Sequence, residues 1–185
     1  MKNRIKNNDT VIILGSSRSD GNTRSVVDFL LENGQFDIID LNDYQIGYFD
    51  YGNKNKDDDF IPLMRNITSQ YRRIIFATPV YWYSMSAIMK TFFDRISDLL
   101  TWEKELGRTL RGKEVGVVSC SGHNDLREGF DMPFKESAHY LGMEYLGHVH
   151  TWAGSKGMEI AAQVRLSKFL NMDVVWETEL KGQTS

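Results

Sequence analysis

Residues 15–23 form a polar, glycine-containing segment whose side chains suit the binding of a phosphate group. The segment reads Gly-Ser-Ser-Arg-Ser-Asp-Gly-Asn-Thr and directly follows the apolar run Val11–Leu14. Its hydroxyl and amide groups can donate hydrogen bonds, and Arg18 supplies a planar cation. A helical pattern follows from Thr23 to Leu31. Because the first N–H groups of a helix are unpaired and attract anions, the sequence predicts a phosphate site here.

Simpler interpretations of this segment stay open at the sequence level. Arg18 could be an ordinary surface arginine, and the turn could bind stray anions without a function. Asn22 and Thr23 could cap the helix, which is compatible with a phosphate contact. Other nucleotide-site motifs do not match: the segment ends Gly-Asn-Thr where a Walker A loop has Gly-Lys-Ser/Thr, and Gly-x-Gly-x-x-Gly is absent. The hydrolase motif Gly-x-Ser-x-Gly is also absent.

Two further segments could extend such a site to a flat ring. Residues 79–84 read Pro-Val-Tyr-Trp-Tyr-Ser, and residues 119–123 read Ser-Cys-Ser-Gly-His. The aromatic run could form a wall beside a ring, and the small polar residues allow close approach to a ring edge. Micromolar binding requires about 8 kcal/mol, more than a few phosphate hydrogen bonds provide after ordering costs, so a buried ring would supply the difference. The aromatic residues could instead pack in the core or between subunits, and we expect at least one to face away from the ligand.

Strand-like apolar runs and helix-like apolar periodicities follow one another along the chain, and they predict the elements that must position these segments. The predicted strands are Val11–Leu14, Phe36–Leu41, Arg73–Ala77, Lys113–Ser119 and Glu144–Thr151. The predicted helices are Thr23–Leu31, Ile61–Tyr71, Ser84–Leu100, Arg127–Leu141 and Ser155–Leu170. Strands that alternate with helices form a parallel sheet, and such sheets bind ligands beyond the carboxyl ends of the strands. The long polar connection Asp43–Asp59 is predicted to be either a flap near the ligand or a solvated insert, and Leu180–Ser185 is predicted to be loose.

The composition is that of an ordinary globular protein with one domain spanning residues 1–185. The chain has 41% hydrophobic and 25% charged residues, and its net charge of −3 does not favour nucleic acid as a partner. The single cysteine, Cys120, excludes an intramolecular disulfide or an all-cysteine metal site. We expect no membrane span, and the basic N-terminus lacks the apolar core of a secretion signal, so a cytoplasmic location is predicted.

Other reactive residues have structural explanations. Cys120 would need an arginine six positions later to act as a phosphatase nucleophile, but position 126 is leucine, so we interpret it as a small buried residue. His148 and His150 lie on one face of a predicted strand without an evident third metal ligand, and we interpret them as structural. His123 could contact a substrate. The apolar excess of Ser84–Leu100 is mostly core and could also supply a subunit interface.

The motifs together resemble the flavodoxin-like NADPH-dependent FMN reductase family, which includes NAD(P)H:quinone oxidoreductases and iron–sulfur flavoproteins. The residues that carry the resemblance are Gly15–Thr23, Pro79–Ser86 and Lys90–Arg95, and its extent is about Val11–Trp152. It implies an α/β flavodoxin-like three-layer sandwich with a five-stranded parallel sheet in the order 2-1-3-4-5. It also implies FMN at the carboxyl edge of the sheet and a homodimer or homotetramer.

The resemblance also implies which residues bind the cofactor. The FMN phosphate would contact Ser16, Arg18, Asn22 and Thr23. The isoalloxazine and ribityl groups would contact Pro79, Val80, Tyr81, Trp82 and Ser84, with Ser121 and Gly122 approaching from a third loop. The cysteine cluster of the iron–sulfur members is missing, so no cluster or other metal is expected.

The function implied is that of an FMN-dependent oxidoreductase. It would take hydride from NADH or NADPH and reduce a small acceptor such as a quinone or free flavin. No side chain is assigned as a catalytic acid or base. The third loop lacks the glycine-rich form common in the quinone reductases, which leaves the acceptor open. One alternative is a flavodoxin-type electron carrier for protein partners, although such carriers are usually more acidic than this chain. Another is a flavin-free regulatory or scaffold protein.

Overall fold

A six-stranded sheet forms the centre of the molecule, whose computed structural model describes residues 8–154 and 157–170. The strands are β1 (Thr10–Leu14), β2 (Asp37–Asp40), β3 (Arg73–Pro79), β4 (Glu114–Ser121), β5 (Glu144–Gly154) and β6 (Gly157–Met158). Their order is β2-β1-β3-β4-β5-β6. The first five strands pair in parallel and β6 is antiparallel to β5. The predicted parallel sheet and its order 2-1-3-4-5 are confirmed, and the short sixth strand was not predicted.

Helices cover both faces of this sheet. They are α1 (Asn22–Asn33), α2 (Phe60–Gln70), α3 (Ala87–Arg95), α4 (Asp98–Thr101), α5 (Lys104–Arg108), α6 (Met132–Leu141) and α7 (residues 160–170), with a 3₁₀ turn at Leu41–Asp43. On β1, Val11 and Ile13 pack against α2 and α3, while Ile12 and Leu14 pack against α1 and α7. Burial on both faces explains the unbroken apolar run of this strand. Among the described helices, none has the length and apolar character to cross a membrane.

Four predicted elements are shorter than expected. The helix predicted over Ser155–Leu170 begins only at residue 160, since residues 157–158 form β6. The single helix predicted over Ser84–Leu100 is wrong: α3 begins only at Ala87, because the Ser86 hydroxyl caps it by accepting a hydrogen bond from the Met89 N–H at 3.1 Å. The chain turns after Arg95 before continuing into α4 and α5. The helix predicted from Arg127 starts at Met132, since Gly129 has a φ of +89° that interrupts helical geometry. The strand predicted over Phe36–Leu41 spans only β2.

The long connection between β2 and α2 is anchored to the core by a buried arginine. Arg95 is 1% exposed. Its guanidinium donates to the Gly47 carbonyl at 3.1 Å, to the Asn55 carbonyl at 3.0 Å and to the carboxylates of Asp58 and Asp98. Two backbone carbonyls and one carboxylate thus fix the connection to one side chain, although none of residues 43–59 is buried, and the choice between a flap near the ligand and a solvated insert stays a prediction. The predictions for Ser155 and for Leu180–Ser185 lie outside the described residues.

Candidate functional site

The loop after β1 passes close to the start of α3. A Cβ atom on Gly15 would lie 2.8 Å from the Met89 Cε atom and 2.9 Å from its Cβ atom, so only glycine allows this approach. The Ser86 hydroxyl donates to the Gly15 carbonyl at 2.6 Å, and the Ser86 N–H donates to the Thr78 hydroxyl. We call the loop after β1 (residues 15–23) the first loop, the loop after β3 (residues 79–86) the second loop and the loop after β4 (residues 119–123) the third loop. Ser86 therefore joins the first loop to the second, a role that sequence reasoning missed although Ser86 lies within the motif Pro79–Ser86.

The start of α1 is left without a side-chain cap. Its N-cap residue is Gly21, and within the described part of the chain no side chain caps it. The prediction that Asn22 or Thr23 could cap the helix is therefore wrong. The Asn22 amide instead donates to the Ala153 carbonyl at 2.8 Å, and Thr23 is buried. The first backbone N–H groups of α1 stay available to an anion, and the helix dipole favours negative charge there.

Arg18 lies beside this helix start. A Cβ atom on Gly21 would lie 3.3 Å from the Arg18 Nη2 atom, which places the exposed guanidinium against the loop. Ser16 is buried, and its carbonyl accepts a hydrogen bond from the Asn42 side chain at 2.8 Å. Asn42 follows β2 and so holds the loop from a neighbouring strand. The only sequence signal for the hydrogen bond between Asn42 and Ser16 is that Asn42 is a polar residue directly after β2.

The second loop is a tight hairpin of aromatic residues. The Tyr81 N–H donates to the Ser84 carbonyl at 2.9 Å, and the Ser84 N–H donates to the Tyr81 carbonyl at 3.1 Å. Trp82 and Tyr83 have φ angles of 50° and 64°. Left-handed backbone costs a non-glycine residue about 1–2 kcal/mol, so the turn stores strain. Packing in the core is excluded for Trp82, which is 94% exposed.

Hydrogen bonds connect this hairpin to both neighbouring loops. The Tyr81 hydroxyl lies 2.8 Å from the Ser17 hydroxyl of the first loop. The Val80 N–H donates to the Cys120 carbonyl at 2.8 Å, next to the third loop. The three predicted loops are therefore brought together at the carboxyl edge of β1, β3 and β4.

Two histidines support the third loop from β5. The Ser119 hydroxyl lies 2.7 Å from His148 Nε2 and 2.9 Å from His150 Nδ1. His150 Nε2 in turn lies 3.3 Å from the Ser121 hydroxyl, which donates to the His123 carbonyl at 2.5 Å. Burial lowers the pKa of His148 to about 4 and also lowers the pKa of His150. Both histidines thus have hydrogen-bond partners, and no metal-binding group of three or more ligand residues occurs among the residues described.

The position of Cys120 agrees with its interpretation as a small buried residue. The residue is 2% exposed at the end of β4. Burial raises the pKa of its thiol, which disfavours the reactive thiolate. A nucleophilic role is not supported.

A cleft of about 230 Å³ separates the second and third loops. Its lining residues are Val80, Trp82, Tyr83, Ser121, Asp125 and Leu126. Four of the six belong to the predicted loops. Asp125 and Leu126 lie in an irregular segment that sequence reasoning did not connect with the site, because no local pattern places an irregular segment against another loop.

The geometry defines a class of protein. A parallel sheet in this strand order joins an uncapped helix start to an aromatic cleft at its carboxyl edge. This arrangement can hold the phosphate and the planar ring of a single nucleotide-like cofactor, as flavodoxin-like proteins do at the same edge.

Comparison with known proteins gives the family. The family model described as NADPH-dependent FMN reductase matches residues 9–157, and the chain belongs to this family. YwqN of Bacillus subtilis, named as an NAD(P)H-dependent FMN-containing oxidoreductase, is 28% identical over 148 residues, which cover 75% of this chain and 81% of that protein.

Solved structures agree with the fold. The Trp repressor binding protein of Bacillus subtilis has a TM-score of 0.68 and 25% identity over 88% of this chain and 96% of its own. An NADPH-quinone reductase from P. pentosaceus has a TM-score of 0.61 and 20% identity, covering 89% and 96% of the two chains. The flavodoxin-like fold, the FMN cofactor and the function of an NAD(P)H-dependent oxidoreductase are confirmed, whereas the electron-carrier alternative is not supported.

Proposed function

We propose that this enzyme binds FMN across the three loops and passes electrons from NADH or NADPH to a small planar acceptor, such as a quinone or free flavin. The observation that carries the proposal is the hydrogen bonding of the hairpin to both neighbouring loops, through Ser17 and Cys120. These contacts join a phosphate-binding end and a ring-binding end into one site. FMN, when bound, supplies the chemistry of accepting and releasing two electrons with a proton.

The phosphate end would be formed by Ser16, Arg18, Asn22 and Thr23. Two observations support the fit: α1 begins without a side-chain cap, and the Arg18 guanidinium lies against Gly21. Asn22 would contribute its backbone N–H, because its side chain is engaged by Ala153. Thr23 is buried and would likewise act mainly through its backbone.

The ring end would be formed by Pro79, Val80, Tyr81, Trp82 and Ser84, with Ser121 and Gly122 opposite. A Cβ atom on Gly122 would meet no atom within 4 Å, so the space beside it is open to a ring edge. The backbone of Tyr81 and Ser84 is already paired within the hairpin. Ser84 would therefore contact the ligand only through its exposed hydroxyl.

The chain's own residues would bind and orient the reactants. Trp82 and Tyr83 stand exposed at the mouth of the cleft, where a second planar molecule could stack. Nicotinamide and acceptor would use this space in turn, which predicts ping-pong kinetics with parallel double-reciprocal lines. No side chain is assigned as a catalytic acid or base.

An anaerobic spectral titration tests the proposal. The purified protein is loaded with FMN and titrated with NADH and then with NADPH, while the visible flavin absorption is followed. We expect the absorption to bleach with one equivalent of nicotinamide and to return when a quinone is added. Protein that binds no flavin, or bound flavin that ignores both nicotinamides, would contradict the proposal.

We further propose that residues 1–185 form one domain, that the enzyme acts in the cytoplasm and that it assembles as a homodimer or homotetramer. Exposed aromatic side chains support the assembly, since Trp82 and Tyr51 are each 94% exposed and such residues are enriched in interfaces. Sedimentation equilibrium of the holoenzyme measures the oligomeric state directly, and a monomer at micromolar concentration would contradict the proposed assembly.

A further inference from the structure

Among the residues that the structure describes, the cleft between the second and third loops is lined by one negatively charged side chain and no positively charged one. Of its six lining residues, Asp125 is the only charged one. The remaining lining residues are two aromatic rings, two aliphatic side chains and a serine. Trp82, Tyr83 and Asp125 are exposed, so a molecule that stacks at the mouth of this cleft meets apolar surface and a single carboxylate.

Arg165, a cation that contacts the residue before Asp125, is engaged by other groups. Arg165 donates to the Asn124 side chain at 3.2 Å, and its guanidinium lies 4.7 Å from the centre of the Trp152 ring. In the part of the chain that the structure describes, no ion pair involves Asp125. Its negative charge is thus not neutralised by a direct partner at the cleft.

We propose that Asp125 makes this cleft select uncharged or cationic planar acceptors over anionic ones. The inference rests on the proposed function, because the acceptor would stack at the exposed mouth of the cleft, beside Trp82 and Tyr83, once the FMN ring lies between the second and third loops. A carboxylate about 6 Å from an acceptor's charge, in a partly solvated cleft, changes affinity by roughly fivefold for each unit of charge. Apolar stacking on Trp82 and Tyr83 would be common to all acceptors, so charge would decide among rings of equal size.

Three probes with one ring system isolate the effect of charge. Naphthalene-2-carboxamide is neutral, the 2-carboxylate is anionic and the 2-carboxamidine is cationic. Each is titrated into the oxidised holoenzyme, and binding is followed by both the flavin spectrum and tryptophan fluorescence. We expect the carboxylate to bind about fivefold more weakly than the carboxamide and the amidine to bind more tightly. Raising the ionic strength should compress these differences.

Two variants assign the effect to one residue. Asp125→Asn should bring the three dissociation constants within about twofold of one another. Glu128→Gln, which removes an exposed carboxylate of the same segment that does not line the cleft, should preserve the wild-type order. Equal binding of carboxylate and carboxamide by the wild type, an unchanged order in Asp125→Asn, or no binding of any probe would each overturn the inference.

The same preparations separate this inference from the proposed function. If NAD(P)H bleaches the flavin and the probes show no charge order, only the inference fails. If no flavin binds or nicotinamide does not reduce it, the proposed function fails and the acceptor inference fails with it.

Steady-state kinetics give a final comparison. The ratio of kcat/KM for the anionic naphthoquinone-2-sulfonate to kcat/KM for the neutral 1,4-naphthoquinone should be about fivefold higher in Asp125→Asn than in the wild type.

Discussion

Arg18 brings a positive charge to a helix start that already favours anions. A charge-assisted hydrogen bond contributes about 1.5–3 kcal/mol. We therefore expect Arg18→Ala to weaken FMN binding at least tenfold, measured by quenching of flavin fluorescence. Arg24→Ala is the matched control, because the Arg24 side chain pairs with Asp28 one turn along α1. Unchanged affinity in Arg18→Ala would remove this residue from the site.

Trp82 combines an exposed ring with a strained backbone, and two substitutions separate these properties. Alanine and glycine both remove the indole, but only glycine relieves the left-handed φ of 50°. We expect both variants to weaken FMN binding or alter flavin fluorescence. Trp82→Gly should exceed Trp82→Ala in free energy of unfolding by about 1 kcal/mol. Equal stability of the two apoproteins in urea would contradict a strained turn.

The lowered pKa of His148 predicts that the free energy of unfolding decreases in mild acid. Its pKa is about 4 in the folded protein because of burial, against about 6.5 in an unfolded chain. The unfolded chain therefore binds more protons between these pH values. Neutral His148 therefore contributes up to about 3 kcal/mol to the free energy of unfolding. This contribution is fully present above pH 6.5 and is lost as the pH falls towards 4.

Urea unfolding at pH 7, 5.5 and 4.5 measures this loss. We expect the free energy of unfolding of His148→Gln to fall less over this range than that of the wild type. His139→Gln, which removes an exposed histidine from α6, should retain the wild-type slope. Identical slopes for His148→Gln and the wild type would exclude the buried histidine as the cause.

At the scale of elements, Arg95 joins α3 to the long connection before α2. Removal of one partner from a buried ion pair costs about 3–5 kcal/mol, because the remaining charges stay buried without compensation. We expect Arg95→Met to lower the free energy of unfolding by this amount, as Asp58 and Asp98 lose their shared guanidinium. Arg65→Met is the control, since its pair with Glu103 is more exposed and should cost at most about 1 kcal/mol. Similar losses in the two variants would show that the connection is not held by Arg95.

At the scale of the whole molecule, cofactor binding should couple to folding. A ligand that binds only the folded state at 100 times its dissociation constant stabilises that state by about 2.7 kcal/mol. We expect FMN at this excess to raise the free energy of unfolding accordingly, measured by urea denaturation. Riboflavin, which has no phosphate, should stabilise much less at the same concentration. Equal stabilisation by both flavins would argue against a phosphate site at α1.

The fold was predictable from the sequence because its signals are local. The apolar run of β1 and the alternation of strands with helices predicted a parallel sheet, the family resemblance implied the order 2-1-3-4-5, and the structure confirms both. The breaks at Ser86 and Gly129 were missed, since the apolar periodicity continues through them while a cap and a positive φ end the helical geometry. The residues predicted to bind FMN lie on loops that meet at one edge, and their contacts with FMN stay a prediction.

The sequence by itself determined the chemistry that is carried within short segments: the phosphate-type loop, the aromatic run and the alternation of strands and helices. Tertiary structure alone decided which groups hold those segments. Ser86 bonds to a carbonyl 71 residues away, Arg95 to a carboxylate 37 residues away and Asn22 to a carbonyl 131 residues away. Periodicity and capping act over a few residues. Contacts across the sheet edge depend on how the whole chain packs, so the anchoring of the loops and the placement of Asp125 at the cleft could be read only from the folded molecule.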